Sequence, residues 1–125
     1  MKLHLDNASG VNVVRFCDAA GIVVNDTRHT RSLILSAESV TDDWRVDDIT
    51  AFDEDACRDI AAHEADIVLL GTGARQHMVD PWYMAWFAAR GMGLEVMDTF
   101  AACRTYNILA AEGRRVVAAL ILEGE

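Results

Sequence analysis

The chain is short of what would mark it as a nucleic-acid binder, a disulfide scaffold or a membrane-spanning protein. Against twenty acidic side chains it sets eleven basic ones, a net charge of −9. That balance repels phosphate backbones and offers no counterion-release drive, so no nucleic acid is expected as a partner. Its three cysteines are an odd number. Cys17, Cys57 and Cys103 form no C-x-x-C pair and lie near no histidine at zinc-ligand spacing, so they read as reduced, mostly buried thiols of a cytoplasmic protein. His4, His29, His63 and His77 are scattered singly, and no metal or cofactor is expected. The longest apolar run, Val116 to Leu122, is far below the roughly 18 residues of a membrane span. Residues 1–6 turn acidic without an apolar core, so neither membrane insertion nor a signal peptide is expected. There is one proline, and neither it nor the glycines mark a linker, which makes residues 1–125 one expected domain.

What the chain does have is apolar content, 52% of residues against 25% charged. That suits a packed core rather than disorder. Residues 1–50 alternate short apolar runs with turn residues: Val11 to Cys17, Ile22 to Val24 and Arg31 to Ser36, separated by Asp18–Gly21 and Asn25–Asp26. This spacing predicts a small antiparallel strand meander. Trp44 stands among acids, a placement that suits anchoring a loop onto the core.

Residues 51–125 change period. Ala56, Cys57, Ile60 and Ala61 form a helical stripe with Asp53 placed as the cap. Strand Ile67 to Leu70, helix Pro81 to Arg90, strand Leu94 to Met97, helix Thr99 to Ala111 and strand Arg115 to Leu122 follow. Asp80-Pro81 starts one helix, and Gly91 and Gly113 can end two. Strands alternating with helices imply parallel pairing, hence an α/β fold. The expected architecture is three layers, a mostly parallel but mixed central sheet flanked by helices, with the N-terminal meander attached.

In such a sheet, ligands favour the carboxyl ends of parallel strands. Gly71-Thr72-Gly73 and Asp98-Thr99 sit at two such ends. If the strands are neighbours, Thr72, Arg75, Asp98, Thr99 and Arg104 converge on a rim that could take a small anion or polar molecule. Gly71-x-Gly73 resembles the start of a dinucleotide fingerprint, but Gln76 occupies the third glycine position and residues 74–80 delay the helix, so a nucleotide is not expected. Cys103 could be a nucleophile, but it shares the apolar arc of its helix, which favours a packed thiol. Arg104 and Asn107 fall on the more polar side and suit surface recognition.

The helix from Pro81 to Arg90 is apolar nearly all round, with Trp82 and Trp86 on one side and Tyr83 and Phe87 about a quarter-turn away. Either other elements enclose it or an aromatic stripe remains exposed for a partner.

Val68–Gly73, Gly91–Thr99, Ala102–Leu109 and Glu112–Val116, taken in order and spacing, resemble the family of mitochondrial respiratory complex I assembly factor 3. Its bacterial and archaeal members are mostly small domains of unknown function. Trp44 sits where that family tends to carry a tryptophan. The resemblance implies a three-layer α/β fold with a mixed sheet, no established enzymatic activity and no catalytic residues. For the mitochondrial member it implies an assembly role exerted through protein partners. The expected function is therefore non-enzymatic: a protein-interaction or assembly-factor-like domain, with an unidentified partner or a second copy meeting Trp82, Tyr83, Trp86 and Phe87. The alternative is a small-molecule or anion site, which could extend to catalysis, at Gly71, Thr72, Gly73, Arg75, Asp98, Thr99, Arg104 and Asn107.

Overall fold

A computed structural model describes residues 10–123; His4 and the reading made on residues 1–6 lie outside the described residues. In chain order the elements are β1 (Val14–Asp18), β2 (Gly21–Val24), β3 (Thr27–His29), β4 (Leu33–Ser36), β5 (Val40–Thr41), α1 (Glu54–Ala61), β6 (Ile67–Gly71), α2 (Pro81–Ala88), β7 (Gly93–Met97), α3 (Thr99–Ala111) and β8 (Val116–Leu120).

β8, wholly buried, runs through the middle of a mixed five-stranded sheet of order β5-β4-β8-β6-β7. It pairs parallel with β6, from Ile67 opposite Val116 to Gly71 opposite Leu120, and antiparallel with β4, from Leu33 opposite Leu120 to Ser36 opposite Val117. Successive side chains point to opposite faces, so a strand covered on both sides must be apolar at every position. Val117 and Ala119 enter one core with Ile34, Val68 and Leu70, where α1 and α2 contribute Ala56, Cys57, Ile60, Trp86 and Phe87. Ala118 and Leu120 enter the other core with Leu33, Leu35 and Leu69, covered by α3 and the first strands through Ala102, Cys103, Tyr106, Val14 and Ile22. The result is the expected α/β three-layer arrangement with a mixed sheet.

The meander is β1-β2-β3, antiparallel throughout, and it does not contain Leu33–Ser36. The sequence reading had placed residues 31–36 there as the third strand. β3, with two exposed residues of three, carries no apolar pattern to announce it. β4 has three buried residues in a row, the mark of an interior strand, and it belongs to the main sheet. Asn25, at φ 55°, makes the turn that lets Thr27 return beside Val24.

Local signals set the helix ends. Asp53 accepts from the Ala56 N–H at 2.9 Å, Asp80 from Trp82 at 2.9 Å and Asp98 from Ala101 at 2.8 Å. Trp44 is buried, and its indole N–H donates to Asp59 on α1 at 3.2 Å, which ties the acidic 41–48 segment to the core.

Candidate functional site

β6 and β7 are parallel neighbours, so Gly71-Thr72-Gly73 and Asp98-Thr99 do meet at one end of the sheet. Their polar atoms are taken up by one another. The Gly73 N–H donates to Thr99 Oγ1 at 2.8 Å, the Thr99 N–H donates to the Gly73 carbonyl at 2.9 Å, and the Thr99 hydroxyl donates to the Ile121 carbonyl at 2.7 Å. The Thr72 hydroxyl donates to the Arg75 carbonyl at 2.7 Å and accepts from the His77 N–H at 3.0 Å. Gly71 lies so close to α3 that a Cβ there would be 2.9 Å from Thr99 Cα. Glu123 follows β8 back across this end, where its carboxylate accepts from the Ala74 N–H at 3.1 Å and lies where a Cβ on Gly73 would go. What remains open is a cavity of about 80 Å³, walled by Cys17, Asp18, Thr99, Phe100 and Glu123 among others; neither Arg75 nor Arg104 lines it. Both arginines are exposed.

Asn107 is not on the surface. It is buried, accepts from the Val14 N–H at 2.9 Å and donates to the Val14 carbonyl at 2.8 Å, so it completes β1's pairing as a neighbouring strand would. Its helix partner Tyr106 donates to the Asn12 carbonyl at 2.7 Å, and burial pushes that phenol well above its ordinary range. Together they hold the meander on α3. A polar residue on a helix reads as solvated until a distant strand is known to need its amide.

The aromatic helix divides. Trp86 and Phe87 are buried, which corrects their reading as interface residues. The Trp86 indole donates to Glu54 on α1 at 2.9 Å, and the Arg90 guanidinium lies 3.5 Å from its ring centroid. Tyr83 packs edge-on against Phe52 at 4.9 Å and is half-buried. Trp82 is 49% exposed and Met84 46%, and Pro81, Ala85, Ala88 and Ala89 are exposed beside them. The outward face of α2 thus carries no charge. Met78, in the loop that leads into it, is 94% exposed.

Comparison with known proteins follows this architecture. The model of the family described as protein of unknown function (DUF498/DUF598) matches residues 14–121. The chain belongs to this family. It is 36% identical over 103 residues to bovine NADH dehydrogenase (ubiquinone) 1 alpha subcomplex assembly factor 3, covering 81% of this chain and 55% of that protein. It is 31% identical over 100 residues to the 13 kDa major membrane protein of Francisella tularensis, covering 79% of this chain and 81% of that one. The solution structure of a Mth938-like domain of Bordetella pertussis superposes with a TM-score of 0.84 at 34% identity, covering 100% of this chain and 94% of that chain. The chain spans about half the length of the bovine relative. Among the described residues no helix is long and apolar enough to cross a membrane, and no group of three or more histidine, cysteine or acidic side chains is placed to hold a metal.

Sequence reasoning missed a second polar cluster, at the far end of the sheet. The hydroxyls of Ser36 and Ser39 are 2.9 Å apart, and Ser39 Oγ is 3.1 Å from His63 Nδ1. Burial holds this imidazole below its ordinary value. No spacing in the chain signals the pair, because the turn after β4 and the residues that follow α1 meet only in the folded molecule.

Proposed function

We propose that this family member acts by binding another protein through the outward face of α2, in an assembly-factor-like role rather than as a catalyst. The observation that carries the reading is the half-exposed Trp82 set in a charge-free helical face with Met84 and the small residues beside it. An exposed tryptophan beside apolar neighbours has the composition of an interaction hot spot. The bovine relative's name, an assembly factor, supports the same direction.

The strand-end alternative draws less support. A cavity of about 80 Å³ is well below the roughly 300 Å³ at which ligand pockets begin, and Glu123 presents a negative charge where an anion would have to enter.

The test is the double substitution Trp82→Ser/Met84→Ser, compared with the parent in affinity capture from the source organism and in sedimentation across a concentration range. A stoichiometric partner lost in the variant, with the circular dichroism spectrum unchanged, is the expected result. Retention of every captured protein by the variant overturns the reading. Loss of self-association alone would assign the face to a second copy instead.

A further inference from the structure

Two thiols face each other across the seam between the meander and α3. Cys17 on β1 and Cys103 on α3 are fully buried in the same core and hydrogen-bonded to each other. The seam is pinned on both elements: Asn107, one turn beyond Cys103, grips Val14, three residues before Cys17, and Tyr106 grips Asn12. The two sulfur atoms are therefore kept together by contacts that do not depend on them.

They are not equivalent. The hydrogen bond from Cys103 pulls the Cys17 thiol below its ordinary value, and that same bond with burial pushes Cys103 well above it. The thiolate is the reactive form, so nucleophilic character collects on Cys17. Cys17 also belongs to the wall of the 80 Å³ cavity beneath the Asp18 turn and Phe100. A water molecule needs about 10–15 Å³ of such space, so the cavity admits a molecule the size of hydrogen peroxide. Cys57 makes the contrast: it packs in the other core, where burial pushes its thiol up to about 12.

We propose that Cys17 and Cys103 form a dithiol site oxidised by small hydroperoxides, Cys17 attacking and Cys103 resolving. The Cys17 thiolate attacks one peroxide oxygen, the O–O bond breaks, and hydroxide leaves and takes up the proton that the Cys17 thiol had released, departing as water while Cys17 becomes a sulfenic acid. The Cys103 sulfur then attacks the Cys17 sulfur, and hydroxide departs with the Cys103 proton as a second water. Two thiols lose two electrons, the peroxide gains them, and the disulfide ties β1 covalently to α3.

The experiment uses the full chain, reduced and then treated with hydrogen peroxide under native conditions, alkylated with N-ethylmaleimide in denaturant and mapped by mass spectrometry. The expected product has Cys57 alkylated and the Cys17 peptide cross-linked to the Cys103 peptide, with dithiothreitol reversing the link. In Cys103→Ser the reaction should stop at a Cys17 sulfenic acid that dimedone traps, and in Cys17→Ser the remaining Cys103 should stay alkylatable. The wild-type map needs no variant to fold. All three thiols still alkylatable, a disulfide between molecules, or Cys17 oxidised beyond sulfenic acid without a cross-link would each overturn the proposal.

Discussion

Replacing Asn107 by alanine should be among the costliest single changes in α3. The substitution strips the Val14 N–H and carbonyl of their partners, bonds of 2.9 and 2.8 Å in a buried site. Each orphaned buried group costs about 1–3 kcal/mol, and partial relaxation brings the expected total to about 3 kcal/mol. At an unfolding entropy of about 2.1 cal/mol/K per residue, a chain of 125 residues would lose about 11 °C in Tm. Urea unfolding followed by circular dichroism measures the first figure and calorimetry the second. Asn107→Asp adds a test of mechanism. It keeps an acceptor for the Val14 N–H but sets a negative oxygen against the Val14 carbonyl, so the folded carboxyl pKa rises above its unfolded value. A raised folded pKa means that the folded state binds more protons, so the variant is most stable at low pH and loses stability as pH rises through that pKa. Its deficit against the parent should narrow on acidification, where the protonated oxygen can donate to Val14, while that of Asn107→Ala stays flat. A loss below about 1 kcal/mol in Asn107→Ala, or a pH-independent deficit in Asn107→Asp, would refute the clamp.

Further outcomes follow from the geometry. Trp82→Ser should change stability by under about 1 kcal/mol, whereas Trp86→Ala, which empties a core site and orphans Glu54, should cost about 3–5 kcal/mol in the same urea assay. Gly71→Ala forces a methyl to within 2.9 Å of Thr99 Cα and 3.2 Å of Ala102 Cβ, which should cost about 1–3 kcal/mol. Gly93→Ala meets nothing nearer than the Asp66 carbonyl at 3.9 Å and should be neutral or slightly stabilising. His63 is held below its ordinary 6.5 by burial, so the unfolded chain binds the proton first and stability falls as pH drops below 6.5; the urea midpoint of His63→Gln should lack that segment of the slope.

Features decided within a few residues were legible in the sequence. The Asp53 and Asp80 caps and the turns at Gly91 and Gly113, both in the left-handed region at φ 76° and 78°, follow from chemistry that the chain carries locally. Parallel pairing followed from the strand–helix rhythm, while the adjacency of β6 and β7 is supplied by the structure. What failed was set by distant partners. Leu33–Ser36 looked like a third meander strand because its apolar run says nothing about which sheet it joins. Asn107 looked solvated because its need is Val14, and Trp86 and Trp82 looked equivalent because what separates them is the core that Trp86 enters and its bond to Glu54 on α1. Gly71–Gly73 and Asp98–Thr99 do meet at one strand end, without Arg75 or Arg104 lining the space between them, and the chemistry there turned on Thr99 and Glu123 satisfying the backbone.

The pairing of β1 with a side chain of α3 fixes an order of events during synthesis. Val14 and Asn107 are 93 residues apart, and at about 5–20 residues per second Val14 is made about 5–20 s before its partner. β4 waits in the same way for β8. For that interval β1, β2 and β3 can pair among themselves but β4 has only β5 beside it, and an uncovered strand edge is a template for mispairing. The C-terminal segment thus times the main sheet: until β8 is made β4 keeps an open edge, and until α3 is made the meander has no helix to close on.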